Sequence, residues 1–263
     1  MTPTTDLTLA LWQTAYAADV PAALRALDDA AAQACAQGAE VLVCPEMSLT
    51  GYLLGADRIA ALAEATDGPL LKAVAATARR HGIAIVCGWP CATSGRPHNA
   101  VAFVDAEGAL LNVYAKTHLF GDADRVQFTP GTALPTVFSY RGWRLGLLIC
   151  YDVEFPEPVR HLALLGADAV LVPTANMREY DEVPTLLVPA RACENRVYVG
   201  YANACGREGG THYGGLSMVA GPLGAVLAQA GRGDALRVVR LGAQALQAAR
   251  QSSPLPQRRT DLY

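Results

Sequence analysis

The chain has 263 residues, 52% of them hydrophobic, with 21 basic and 24 acidic side chains and a formal net charge of -3. That length supports a large core near the upper size of one domain, and no stretch gathers lysine and arginine into the basic stripe that nucleic-acid binding needs. No run reaches the roughly 20 apolar residues of a membrane span, and the N-terminus lacks the basic and then apolar pattern of an export signal.

Leu7 to Trp12 reads as a strand. Pro21 then opens a helix in which Leu24, Leu27, Ala31 and Ala34 recur at helical spacing until Gly38 ends it. A strand over 41–44 follows, then a helix from Pro69 to His81 stopped by Gly82, and a strand from Ile83 to Cys87. This is an α/β rhythm. Two β-rich stretches, 99–104 and 110–114, are joined by Asp105, Ala106, Glu107 and Gly108, which is hairpin chemistry, so the sheet structure is mixed.

A second hairpin turns near Arg141 and Gly142 into an apolar strand over 143–149. A helix with Pro156 and Pro158 in its first turn runs from there to Gly166, which puts Cys150 at a strand-to-helix elbow. A strand over 169–172, a helix ending near Asn195, a strand over 198–204 and a β pair turning at 221–224 complete the pattern. No linker or repeat interrupts it. One domain over 1–263 is expected, with the polar, proline-containing segment from about 251 lying outside the core as an arm or a disordered end.

Seven cysteines form an odd set without the spacing of a secreted disulfide framework, which points to a reducing cytoplasm. Of these, Cys44, Cys87, Cys91, Cys193 and Cys205 sit in apolar surroundings where a thiol acts as a small hydrophobe. His81, His98, His161 and His212 show no metal-ligand spacing, so no metal is expected. The glycine-rich stretch 206–215 has no following lysine and is no phosphate cradle; it reads as a flexible loop near the site.

Three polar residues end otherwise apolar strands: Glu46, Lys116 and Cys150. Singly each has an ordinary reading as core thiol or surface charge. Together they suit one another, because a thiol nucleophile needs a base and an acyl-transfer oxyanion needs a positive donor. His118 offers a rival reading as the base of a papain-like pair with Cys150.

The local contexts decide between them. Pro45-Glu46-Met47-Ser48-Leu49-Thr50-Gly51-Tyr52, Lys116-Thr117-His118-Leu119-Phe120 and Cys150-Tyr151-Asp152-Val153-Glu154-Phe155-Pro156-Glu157 occur in the order of the three motifs of the nitrilase superfamily and closely resemble them. Phe128-Thr129-Pro130-Gly131 resembles the segment after that family's lysine motif, and Arg258-Arg259 before Tyr263 its C-terminal signature.

The resemblance implies an α/β fold, a four-layer α-β-β-α sandwich with two mixed β-sheets, and subunits paired into a homodimer or larger homo-oligomer. It makes Cys150 the nucleophile, Glu46 the general base and acid, and Lys116 the oxyanion's cation, with the Tyr151 amide as a second donor. No metal or organic cofactor is implied, and the partner is a small-molecule amide rather than nucleic acid or membrane. Many members carry a glutamate where this chain has Asp124, whose shorter side chain changes the geometry required there.

Segments around 119–125, 172–177 and 201–206 resemble bacterial 5-aminopentanamidases, which implies a small linear aliphatic amide as substrate. The alternatives within the superfamily are an N-carbamoyl amine hydrolase or a nitrilase, and outside enzymology a catalytically silent scaffold subunit. Asn176 matches a pocket-lining asparagine of related amidases, although turn chemistry explains it equally. Tyr52 is placed at the border of the acyl pocket. Glu179, Asp181 and Glu182 are candidate carboxylates for a cationic ω-amino group.

Overall fold

A computed structural model describes residues 3–262. Its strands are β1 (Leu7–Gln13), β2 (Val41–Val43), β3 (Ala84–Cys91), β4 (His98–Val104), β5 (Leu110–Ala115), β6 (Val137–Tyr140), β7 (Trp143–Leu147), β8 (Ala169–Thr174), β9 (Tyr198–Asn203), β10 (Arg207–Glu208), β11 (Thr211–His212), β12 (Met218–Ala220), β13 (Val226–Gln229) and β14 (Ala235–Leu241). The α-helices are α1 (Val20–Ala36), α2 (Ala56–Ala61), α3 (Pro69–His81), α4 (Gly121–Gln127), α5 (Pro156–Leu164), α6 (Val188–Asn195) and α7 (Ala243–Gln251).

Twelve of the strands form two six-stranded mixed sheets, ordered β14-β1-β2-β3-β4-β5 and β13-β12-β9-β8-β7-β6. In each, three neighbouring strands run parallel: β1, β2 and β3 in the first, β7, β8 and β9 in the second. Hairpins and the antiparallel pairing of β14 with β1 extend the edges.

Side-chain alternation explains the stacking. Leu7, Leu9, Leu11, Val41, Val43, Ala84 and Val86 point to the second sheet, while Ala10, Leu42, Ile85 and Cys87 point away to α1 and α3. These helices answer with Leu27, Ala30, Ala31 and Ala34, and with Leu70, Leu71, Val74 and Ala78. On the second sheet, Gly146 gives Leu162 of α5 room to lie on β7, and α6 packs beside α5. The result is a four-layer α-β-β-α sandwich. Each leucine buried between its layers contributes about 1.5–3 kcal/mol.

The local signals account for the helix boundaries. The Asp19 side chain accepts from Ala22 N at 2.7 Å and Pro21 sits in the first turn of α1. At the end of α3, Gly82 adopts the left-handed φ of +63° that closes the helix. Two stretches differ from the sequence expectation. The strand before Cys150 stops at Leu147, and a 3-10 turn, Cys150–Glu154, separates it from α5, because Pro156 can start an α-helix but cannot donate within one. Residues 235–251, which carried no strong alternation signal, form β14 and α7, and β14 pairs along the whole of β1. Beyond α7 the chain is largely exposed and holds a 3-10 turn, Leu255–Gln257, and a further turn at 260–262; Tyr263 lies outside the described residues. Among those residues no helix is long and apolar enough to cross a membrane.

Candidate active site

The ends of four strands, three from the parallel runs and the edge strand β5, converge on one buried polar cluster. Glu46 follows β2, Lys116 follows β5, Cys150 follows β7 and Asn176 follows β8. Strand ends at the junction of stacked sheets are where an α/β scaffold offers backbone and side chains to a ligand.

Glu46 is held from several directions. Its amide donates to Thr174 O of the opposite sheet at 3.3 Å, and its carbonyl accepts from Tyr16 OH at 2.8 Å. Met47 takes a φ of +52°, and the segment lies so close to β3 that a Cβ at Gly88 would stand 2.4 Å from Met47 N. Only glycine permits that approach.

The Glu46 carboxylate, 1% exposed with its residue, is divided in its bonding. Oε1 accepts from Lys116 Nζ at 2.8 Å and from Asn99 Nδ2 at 2.6 Å. Oε2 is buried with no hydrogen-bond partner among the described residues. An unmet carboxylate oxygen in a dry site is costly, and it is also an available proton acceptor.

Lys116 is fully buried. Its backbone is fixed by Lys116 N donating to Asn99 O at 2.9 Å and Gly131 N donating to Lys116 O at 2.8 Å. The glycine of Phe128-Thr129-Pro130-Gly131 has a steric reason, since a Cβ there would fall 2.4 Å from Ala115 O. Its Nζ also donates to Asp124 Oδ2 at 2.8 Å. The shorter aspartate therefore reaches the lysine, from the first turn of α4, where Phe120 N donates to the same oxygen at 2.9 Å.

Burial opposes the charge on Lys116, but the carboxylates of Glu46 and Asp124 outweigh it and hold the ammonium well above its ordinary pKa. Burial also raises the Glu46 carboxyl above its usual range, with Lys116 pulling it down and Asp124 pushing it up. Burial drives the Cys150 thiol well up as well; Glu46 adds to this and Lys116 opposes it. Burial thus favours the neutral thiol of Cys150 and makes Glu46 a stronger base than an exposed glutamate.

Cys150 is half-buried and begins the 3-10 turn with a φ of +46°, a left-handed conformation that side chains other than glycine rarely adopt. Such strain costs on the order of 1–3 kcal/mol and has to be held by its surroundings. Asp152 supplies the hold. Fully buried, it accepts from Tyr114 OH at 3.0 Å, Thr117 Oγ1 at 3.0 Å, His118 N at 3.0 Å and Ile149 N at 3.2 Å. It ties the lysine segment to the cysteine turn.

His118 is committed to that same tie. Its Nδ1 lies 2.8 Å from Asp152 Oδ1, its ring stacks on Phe155 at 4.2 Å, and the bond to Asp152 raises its pKa. This gives the ring a structural task in place of the papain-like one. Asn176 donates from Nδ2 to Tyr180 O at 2.9 Å and is itself fixed by Asn203 Oδ1 at 2.8 Å, so its amide nitrogen closes a turn. Tyr52 is 2% exposed and directs its hydroxyl to Asp124 Oδ1 at 2.6 Å. Tyr151 meets Phe120 and Phe155 edge-on at 5.2 and 4.9 Å, forming an aromatic group next to Cys150.

Comparison with known proteins agrees with this arrangement. The profile of the carbon-nitrogen hydrolase family matches residues 8–251. The chain belongs to the carbon-nitrogen hydrolase family. It is 45% identical to a hydrolase encoded in the pqqF 5' region of Pseudomonas protegens, over 93% of this chain and 86% of that one. It is 40% identical to an (R)-stereoselective amidase of a Pseudomonas species, over 82% and 78%. Among solved structures, a double mutant of the amidase of Nesterenkonia sp. AN1, with one glutamate and one cysteine replaced, in complex with acrylamide is similar with a TM-score of 0.84 at 37% identity, covering 100% of this chain and 98% of that one. A variant of the same amidase carries the acetamide moiety of fluoroacetamide covalently at its active-site cysteine.

The protein is thus an enzyme of the nitrilase superfamily acting on carbon–nitrogen bonds other than peptide bonds. In this carbon-nitrogen hydrolase, sequence reasoning missed Asn99, Asp152 and Tyr16 as parts of the cluster. Asn99 follows Pro97 and His98 at the start of a strand and carried no signal of its own. Asp152 was within the cysteine motif, where its polarity in an apolar context was the available clue. Among the described residues no group of His, Cys, Asp or Glu is placed to hold a metal ion.

Proposed function

We propose that this enzyme is a cysteine-dependent amidase that converts a small linear aliphatic amide to the carboxylic acid and ammonia through a thioester on Cys150. The observation that carries the reading is the Lys116 ammonium clamped between Glu46 and Asp124 while Glu46 Oε2 is left without a partner. Support comes also from the Nesterenkonia amidase, in which the glutamate and the cysteine replaced together are separated by the same number of residues as Glu46 and Cys150.

Glu46 Oε2 takes the Cys150 proton and the thiolate attacks the amide carbonyl. An ammonium has three donors; two of those on Lys116 go to carboxylates, and the third meets the developing oxyanion together with the Tyr151 amide. Glu46 returns the proton to the departing nitrogen, ammonia leaves, and a thioester remains. Glu46 then deprotonates a water, which attacks the thioester and restores the thiol. The test is ammonia release from 5-aminopentanamide, a neutral aliphatic amide, a dicarboxylic ω-amide, an N-carbamoyl amine and a nitrile. Fastest turnover of an amide supports the reading; turnover of only the nitrile or the carbamoyl compound refutes it.

Asp124 raises the Glu46 pKa through its negative charge, and Glu46 must be ionised to act as base. Asp124→Asn removes that charge, so the acid limb of the kcat profile is expected to move to lower pH. The weakened grip on Lys116 should cost about 10- to 100-fold in kcat, the worth of one hydrogen bond to a charged group. A pH–rate profile checks both; an unmoved acid limb contradicts the assignment of Glu46.

For the acyl end, we favour an ω-amino group facing Glu154. This residue lies in the same turn as Cys150, and its carboxylate has no hydrogen bond or ion pair among the described residues. Burial, with Glu182 adding and Lys116 and Arg191 opposing, pushes its pKa up to about 7. Of the three carboxylates considered from sequence, Asp181 is bound to Arg232 at 2.5 Å, Glu179 is exposed in the turn Arg178–Tyr180, and Glu182 is the one that acts on Glu154. An ammonium beside Glu154 favours the ionised form, so KM for 5-aminopentanamide should fall as pH rises through 7. Glu154→Gln should raise that KM by about 10-fold, or about 1.4 kcal/mol, and leave KM for a neutral amide unchanged. Equal effects on both substrates would remove Glu154 from this role.

A further inference from the structure

The glycine-rich segment 206–215 is a hairpin, β10 and β11, turning on Gly209 and Gly210. Its one acidic side chain, Glu208, reaches across to the glutamate motif. Glu208 Oε1 accepts from Tyr52 N at 2.9 Å, and Oε2 accepts from Leu53 N at 2.9 Å and from Tyr213 OH at 2.7 Å. Two successive backbone amides and a phenol are thus gathered on one carboxylate. Gly51 makes the approach possible: its φ is +95°, and a Cβ there would stand 3.0 Å from Glu208 Oε1.

The bonds continue inward. With its amide fixed by Glu208, Tyr52 directs its hydroxyl to Asp124 Oδ1 at 2.6 Å, and Asp124 Oδ2 holds Lys116 Nζ at 2.8 Å. A second arm starts at Tyr213, whose ring meets Tyr16 edge-on at 5.2 Å; the Tyr16 hydroxyl donates to Glu46 O at 2.8 Å. Every side chain on both arms, apart from Glu208 and Tyr16, is buried.

We propose that Glu208 is a positioning residue for the Lys116 ammonium, acting through Tyr52 and Asp124, so that the hairpin sets the cation's place relative to Cys150. It touches no reacting atom in this scheme. The proposal rests on the role given to Lys116, and Lys116→Met assayed alongside is the control: wild-type kcat in that variant means the role has failed, whereas a kcat loss there with full kcat in the hairpin variants means the relay has.

A lysine displaced from the oxyanion binds the ground-state amide as before but stabilises the transition state less, so the loss falls on kcat and not on KM. Residues acting as one chain give non-additive losses. The experiment measures kcat, KM and melting temperature for Glu208→Gln, Tyr52→Phe and the double variant. Each single change is expected to lower kcat by about 10-fold with KM within about 2-fold, and the double variant to be no slower than the slower single one.

Glu208→Gln sets an amide nitrogen against a backbone N–H and so can disturb the loop. Tyr213→Phe removes one donor to Glu208 and orphans no backbone group. It should lower kcat by about 2- to 5-fold and again fail to multiply with Tyr52→Phe. Multiplicative losses, a loss confined to KM, or full kcat in both Glu208→Gln and Tyr213→Phe would overturn the proposal.

Discussion

Lys116→Met is expected to abolish amide hydrolysis and to lower the melting temperature together. Methionine fills much of the lysine's volume but leaves Glu46 and Asp124 buried without their cation. Removing one partner from a buried ion pair costs about 3–5 kcal/mol, and at about 2–4 °C per kcal/mol for a chain near this size the shift should be plain in a thermal melt. In the proposed mechanism, loss of the oxyanion's cation alone is expected to cost about 10²–10³ in kcat.

Glu46 adds to the loss. Lys116 pulls its pKa down, so without the lysine the carboxyl is driven further up and less of it is ionised at a given pH to serve as the proposed base. The pH dependence of stability has a definite sign. In the variant the folded-state carboxyl pKa lies above its unfolded value, so the deficit is smallest below the ordinary carboxylate range and grows as pH rises through the raised folded value. Melts across pH and ammonia release check this; a variant that melts and turns over like the wild type contradicts the clamp.

Cys150→Ala is expected to lose at least about 10³-fold in kcat, since it removes the covalent nucleophile of the proposed two-step route. The fold should persist, because the sulfur makes no hydrogen bond on which Asp152 or Lys116 depends. Cys150→Gly should be equally inactive and at least as stable as Cys150→Ala, because glycine adopts the φ of +46° without strain. Circular dichroism with ammonia release tests both. A glycine variant clearly less stable than the alanine variant would show that the turn is not strained.

Much of this could be read from the chain, and for identifiable reasons. Alternating strands and glycine-stopped helices located β1 to β9, and the hairpin at 105–108 required antiparallel pairing, which occurs between β4 and β5. Glu46, Lys116 and Cys150 stood out because each is polar at the end of an apolar strand. Residues 235–251 were not legible, since β14 is half-exposed and alternates weakly; its pairing with β1 depends on chain ends far apart in sequence.

Asn99, Asp152 and Glu208 were missed for a different reason. Their importance lies in hydrogen bonds to partners between 34 and 156 residues away, and no local pattern carries such a pairing. Asp124 illustrates the limit from the other side. Its shortness suggested a changed geometry, yet α4 brings its carboxylate to 2.8 Å from Lys116.

The most direct test of the account is to quench the wild-type enzyme with acid during turnover of 5-aminopentanamide and to map any added mass by peptide mass spectrometry. The account predicts one acyl group, the amide less ammonia, on the peptide containing Cys150, and none in Cys150→Ala. An acyl group on another residue, or ammonia release by Cys150→Ala at the wild-type rate, would contradict it.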